Sequence, residues 1–224
     1  MHIEPGIVDS AKMVFAYATA AGAAAYTARI ASKDIGLHGA ASLFVRSLTA
    51  GAATFVFFEV LPHFPVGVSE VHFILGTTLF LILGAAPAAL GLALGLLVQG
   101  MFFAPTDLPM YFVNLTTLLV PLFAIEQLAR RVIPMDTAYV DLKYADVLKL
   151  SLAYQGGVVA WVAFWAIYGQ GFGIENLSSV ASFGVAYMLV VLVEPIADLI
   201  ALAAAKAMRP TAPNRWVAQR LYTA

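Results

Sequence analysis

The sequence predicts an all-α integral membrane protein. It reads as a single domain, residues 1–224, forming a bundle of about seven transmembrane helices with the N-terminus outside and the C-terminus cytoplasmic. Three observations predict this. Of 224 residues, 62% are hydrophobic and 11% charged, whereas soluble domains carry about 25% charged residues. Apolar runs near the length of a bilayer-spanning helix recur along the chain, broken by polar or Gly/Pro-rich stretches. Basic residues gather on one side once seven spans are drawn.

The first run is Ala11 to Ala31. Ala16, Ala20, Ala24 and Ala28 recur every fourth residue, and such small-residue stripes let helices approach closely in lipid. A loop with Lys33, Asp34 and His38 follows. The second run is Gly39 to Val60, interrupted by Arg46. The stretch from Leu61 to His72 holds Pro62, Pro65 and Gly67, which predicts irregular backbone. The third run, Val71 to Leu83, is short for a full crossing and begins within that irregular segment. Short, Gly/Pro-interrupted segments often border binding sites in transporters. The fourth run is Pro87 to Phe103, and a loop from Ala104 to Pro109 leads to the fifth, Met110 to Leu128. A polar stretch from Ile133 to Lys149 precedes the sixth, Leu150 to Tyr168. A Gly-rich loop, Gly169 to Ser178, leads to the last, Ser179 to Leu202, and a basic tail closes the chain.

Charge sets the orientation. With seven spans and the N-terminus outside, the inside receives Arg29, Lys33, Arg46, Arg130, Arg131, Lys143, Lys149, Lys206, Arg209, Arg215 and Arg220. Of the basic residues only Lys12 falls elsewhere. Glu4, Asp9, Glu59, Glu70, Asp107 and Glu175 fall outside. Reading Val71 to Phe103 as one span would move Arg130 to Lys149 outside, against the positive-inside pattern. A secretory signal peptide is not expected, because the stretch before the first run carries Glu4, Asp9 and Lys12 instead of a basic cluster.

The start of the chain carries distinctive chemistry. A free Met1 amine, the deprotonated His2 amide and the His2 imidazole offer three nitrogens to one metal ion, in adjoining five- and six-membered rings. That near-planar bite suits Ni(II) or Cu(II), and less strictly Co(II). A fourth nitrogen must come from elsewhere. The same topology puts Met1 and His2 on the side of the loop holding His63 and His72. His72 borders or enters the third run, and ionisable groups at membrane depth are functional candidates. His63 sits between prolines and reads as peripheral. His38 reads as a surface residue. Glu70 can orient a ligating imidazole from behind. Glu194 and Asp198 stand at i and i+4 in the last run, where pairing with Lys206 or the tail arginines is the expected role. Glu126 and Arg130 form a similar pair.

Several function classes are excluded or unsupported. The chain has no cysteine, so it has no disulfide, thiolate metal site or Cys nucleophile. Gly169-Gln170-Gly171-Phe172-Gly173 lies between helices with no preceding strand, so it fails the context of a dinucleotide fingerprint. No phosphate-binding GxxxxGK[ST] or HExxH pattern is present, and ATP-driven work would need a separate chain. The few basic residues face the inside and do not point to nucleic acid.

With these residues in view, the chain resembles the CbiM/NikM family, cobalt/nickel substrate-binding (S) components of energy-coupling-factor (ECF) transporters. The resemblance rests on Met1-His2-Ile3 with Gly6 close behind, on Phe64-Pro65-Val66 leading to His72, and on Phe73-Ile74-Leu75-Gly76. Leu97-Val98-Gln99 and Asn114 add to it. The approach to the histidine, Val68-Ser69-Glu70-Val71, departs from the family's small-residue pattern, and His63 stands where an amide is usual. The resemblance implies a Ni²⁺ or Co²⁺ cargo bound by the Met1 amine, the His2 amide and imidazole, and the His72 imidazole. His63 is a further possible ligand, and Glu70 and Asn114 would support the site from behind. It implies no intrinsic cofactor and no enzymatic activity. It implies a transmembrane T component, a cytoplasmic ATPase pair and a small accessory membrane subunit as partners, with the Ala16/Ala20/Ala24/Ala28 stripe as the docking face. A vitamin-binding S component, a membrane enzyme using Glu194 and Asp198, and a structural subunit are the alternative readings.

Overall fold

The computed structural model describes residues 3–209 and 216–223. Met1, His2 and Arg215 lie outside the described residues. Among those described, seven α-helices form one bundle: α1 (Met13–His38), α2 (Ala40–Phe55), α3 (Gly76–Leu83), α4 (Ala85–Phe102), α5 (Tyr111–Val132), α6 (Tyr144–Gln170) and α7 (Ile174–Ala207). Five helical segments are long and apolar enough to cross a membrane: Ala40–Val60, Ala85–Phe102, Pro105–Val132, Tyr144–Gln170 and Ile174–Ala207. Helices α1 and α3 are not among these five. Helix α1 is long but dominated by alanine, whose side chain is only weakly apolar, and α3 has eight residues. At 1.5 Å per residue α3 covers about 12 Å, well short of a bilayer core. The outer face of α7 presents Val185, Leu189, Leu192, Ile196 and Ile200, all exposed. An apolar stripe of that length facing outward suits lipid contact.

Helix α1 continues past Ala31, so Lys33, Asp34 and His38 occupy its last turns, not a loop. Ion pairing compensates for this polar end. Arg46 of α2 is 1% exposed and pairs with Asp34, and His38 Nδ1 lies 3.1 Å from Asp34. His38 is thus a packed residue and not a plain surface one. Arg46 also donates to the Leu83 carbonyl at 2.8 Å, satisfying an orphan acceptor at the end of α3.

The alanine stripe divides. Ala16 and Ala20 are buried in the bundle, whereas Ala24 and Ala28 are exposed. A four-residue step overshoots the 3.6-residue turn, so the stripe drifts about 40° per step around the helix. The close approach it was expected to provide occurs between α2 and α4. There a methyl on Gly91 would stand 2.2 Å from the Ala50 Cβ, and one on Gly95 would stand 2.6 Å from Thr54. Gly91 and Gly95 form a GxxxG face that brings two backbones together.

The bundle is not wholly α-helical. Helix α2 runs into a wide π turn, Val56–Val60. Next come two short strands, β1 (Phe64–Val66) and β2 (Ser69–Val71), paired antiparallel with Phe64 opposite Val71 and Val66 opposite Ser69. Pro62 and Pro65 bar helix here, and the three-residue strands close around Gly67. Residues 72–75 are non-helical and lead into α3. Elsewhere the helices extend into stretches that read as loops. Helix α6 starts at Tyr144 and α7 at Ile174. Asn176 closes the tight α6–α7 turn by donating to the carbonyls of Ala166 at 3.0 Å and Gly171 at 2.7 Å. The core lies between α5, α6 and α7, where Tyr154, Trp165, Phe183 and Tyr187 are fully buried.

Candidate metal centre

The described chain opens as a strap laid on the hairpin. Ile3 forms an antiparallel bridge with Ser69, and the Glu4 N–H donates to the Val68 carbonyl at 3.2 Å. Ile3 is fully buried, and its N–H donates to Asn114 Oδ1 at 2.8 Å. Farther along, Gln170 at the end of α6 donates to the carbonyls of Gly6 and Ile7, each at 2.9 Å. Lys12 Nζ reaches the Gly169 carbonyl at 2.7 Å. Lys12 also caps locally with Asp9, whose carboxyl is held below its ordinary range first by the Lys12 backbone N–H. Three elements, the hairpin, α5 and α6, thus hold the strap.

His72 follows β2 directly and is 1% exposed. Its ring lies 4.5 Å from that of Phe58, which sits in the π turn. Its Nδ1 lies 3.0 Å from the Phe73 carbonyl oxygen. A carbonyl only accepts, so Nδ1 carries the proton, and in the neutral ring Nε2 then keeps the lone pair, the arrangement a metal-binding imidazole needs. The π turn is tied to α4 by Gln99, whose Nε2 donates to Glu59 Oε2 at 3.2 Å. Such single wide turns recur at functional sites.

The candidate residues separate clearly. Asn114, reached from the sequence only through the resemblance, touches the strap directly. His63 is half-buried, with Nδ1 3.2 Å from the Leu61 carbonyl. His63 and His72 are the residues that flank the Phe64–Val71 pair, outside the two strands. Glu70 pairs with Pro65 in the hairpin. Among the described residues, no three His, Asp or Glu side chains come together as a metal-binding group.

Glu194 and Asp198 depart from the expected pairing with the tail cations. Both are fully buried. Lys206 and Arg209 instead meet Asp141, at 3.3 and 2.8 Å. The helix turns the two acids inward, onto residues 74–78, while Lys206 lies a further two turns on and faces out. Glu126 and Arg130 pair as expected, at 2.6 Å. The strap's contacts with Gln170 and Gly169, the π turn and the inward Glu194 had no advance signal in the sequence. The Gly-rich segment at 169–173 was the nearest hint, read there as a loop alone.

Helical spans, outward apolar faces and a half-length helix beside a broken segment define a multi-pass membrane protein with a transporter's architecture. The fold is shared with the crystal structure of a truncated transition metal transporter: TM-score 0.65 at 15% identity, covering 93% of this chain and 98% of that one. At that identity the likeness is one of fold. The chain belongs to the CbiM family, the cobalt uptake substrate-specific transmembrane region, whose pattern matches residues 2–212. It is accordingly a membrane transport component and not an enzyme. A comparison with curated proteins returns no match.

Proposed function

We propose that this chain is the substrate-capturing S component of an ECF-type importer for Ni(II) or Co(II), with metal bound by the Met1 amine, the His2 amide and imidazole, and the His72 imidazole. The observation that carries the reading is the strap. Ile3, the residue joined to His2, is stitched to Ser69, three residues before His72. That pairing lies three residues along the chain from the only buried histidine among the described residues, which supports the reading. The His72 tautomer leaves Nε2 as the donor, and a nitrogen set of this kind suits both metals.

In this reading the N-terminus faces outside and the C-terminus the cytoplasm, following the positive-inside bias. Bound metal orders the N-terminal segment over the bundle. A T component, a cytoplasmic ATPase pair and a small accessory membrane subunit supply the energy coupling, since the chain itself carries no nucleotide-binding motif. A vitamin-binding S component would have no need of His2.

Calorimetric titration with Ni(II) and with Co(II) tests the reading, on protein that begins at Met1 and carries only a C-terminal tag. One extra residue before Met1 moves the amine out of its chelate ring, and high-affinity binding should disappear with the fold intact. Equal affinity in native and extended forms would remove the amine as a ligand and with it the functional reading. Loss of His72 by His72→Ala should be severe and His63→Ala milder.

A further inference from the structure

Glu194, Gln155 and Tyr187 form a chain of buried hydrogen bonds that ends on the backbone just after His72. All three side chains are fully buried. The Tyr187 hydroxyl donates to Gln155 Oε1 at 2.7 Å. Gln155 Nε2 donates to Glu194 Oε2, and Glu194 Oε1 accepts the Ile74 N–H. That N–H belongs to the same peptide unit as the Phe73 carbonyl, which accepts from His72 Nδ1 at 3.0 Å. A peptide unit is planar and stiff. Fixing its N–H therefore fixes the direction of its C=O, and the C=O fixes the imidazole. The next residue, Leu75, has φ 53°, a left-handed conformation unfavourable for a non-glycine residue. Such a conformation persists only where its surroundings hold it. One turn farther along α7, Asp198 accepts from the Thr78 hydroxyl, so α7 grips both the broken segment and the first turn of α3.

We propose that Glu194, Gln155 and Tyr187 are positioning residues, a relay from α7 and α6 through the 73–74 peptide that sets the tautomer and direction of the His72 ring. Metal-ligating histidines generally have their second nitrogen held by a carboxylate or carbonyl. Here the carboxylate would act one peptide unit removed. As a statement about a metal ligand the proposal rests on the function proposed above; as a statement about His72 and Ile74 it stands by itself.

The test exchanges the two groups. In Glu194→Gln, the new amide faces the Gln155 amide. Whichever way the two amides turn, one buried polar hydrogen loses its acceptor, a costly state in a closed site. Adding Gln155→Glu restores every bond: the new carboxylate at 155 accepts from Tyr187 and from the amide at 194, whose oxygen still accepts the Ile74 N–H. Net charge is unchanged in the double variant. Three readouts apply to the full chain with a free Met1: hydrogen exchange at the Ile74 amide, the nitrogen resonances of the His72 ring, and Ni(II) affinity with the visible absorption of bound Ni(II).

Glu194→Gln should speed exchange at Ile74, shift the His72 resonances and lower Ni(II) affinity about 10- to 100-fold, the usual cost of losing a ligand's supporting bond. The double variant should return all three toward the native values. Should Glu194→Gln fail to fold, Tyr187→Phe removes only the far hydroxyl, and should move the same readouts in the same direction by less. Wild-type exchange and resonances in Glu194→Gln, or a double variant no better than the single, would overturn the relay. If the native chain binds no Ni(II) or Co(II), the metal reading falls, and Ile74 exchange with the His72 resonances still decides the relay.

Discussion

A single methyl group at Gly169 tests whether the N-terminal strap is seated by α6. Gly169 is buried in the last turn of α6. A Cβ there would lie 1.9 Å from the Ile7 carbonyl oxygen and 2.8 Å from the Ile7 carbonyl carbon. Ordinary contact begins at 3.4 Å, so the strap must withdraw by about 1.5 Å to escape the steep repulsive wall. Both Gln170 bonds to the strap, now 2.9 Å, then pass beyond hydrogen-bond reach. Overpacking of this kind costs about 1–3 kcal/mol. Helix propensity acts in the opposite direction, favouring alanine over glycine by about 1 kcal/mol in a helix interior. The two effects have opposite signs, which makes the variant decisive. Gly169→Ala should speed hydrogen exchange in residues 3–12 while the bundle stays folded. If the seated strap is what presents the metal ligands, Ni(II) affinity should fall by about 5- to 150-fold, the equivalent of 1–3 kcal/mol. Hydrogen exchange by mass spectrometry and calorimetry measure both. A variant with a raised melting temperature, unchanged exchange and native affinity would show that propensity alone operates, and that the strap is not held as described.

Three further outcomes are expected. For topology, a cysteine replacing Glu175 should react with an impermeant thiol reagent from outside, and one replacing Asp141 only after permeabilisation; external labelling at Asp141 would overturn the proposed orientation. For the alanine face, Ala20→Leu should destabilise the bundle by about 1–3 kcal/mol through overpacking, while Ala24→Leu with Ala28→Leu should leave melting unchanged and weaken copurification with a T component. Unchanged copurification would remove that face from the docking surface. For pH, Asp141 is held below its ordinary carboxylate value of 3.8 by the hydrogen bonds from Arg209 and then Lys206. A lowered native value means the contribution is fully present above 3.8 and is lost as pH falls through the native value. The small melting difference between wild type and Asp141→Asn should therefore be seen at neutral pH and vanish in acid. A difference that persists in acid would assign it to something other than the charge pair.

What could be read in the sequence follows from which forces leave a local mark. Apolar length marks spans, so α2 and α4 to α7 were legible, as was the break before α3, where Pro62, Pro65 and Gly67 exclude helix. Apolar length fails at α1 because alanine is too weakly apolar to separate a membrane span from a long packed helix. It fails at helix ends because polar turns can be rescued by partners remote in sequence. Lys33 to His38 look like a loop until Arg46 arrives beside Asp34. The hairpin escaped because three-residue strands are too short for a period-two pattern to declare itself.

At the site, the residues with intrinsic chemistry were legible and those with only positional roles were not. A histidine bordering an apolar run after a broken segment is conspicuous in the sequence alone. Gln155 and Tyr187 are ordinary helix residues by every local measure, and Glu194 looked like one half of an i,i+4 acidic pair near a basic tail. Their direction is decided by helix phase. From Glu194 to Lys206 is twelve residues, which at 100° per residue is about 120° away from a whole number of turns. Lys206 therefore cannot lie above Glu194, and the acid is turned onto the peptide after His72. Phase of that kind is computable from spacing, but its consequence depends on which face the bundle buries. That face is fixed only when α3, the hairpin and the strap have packed against α7.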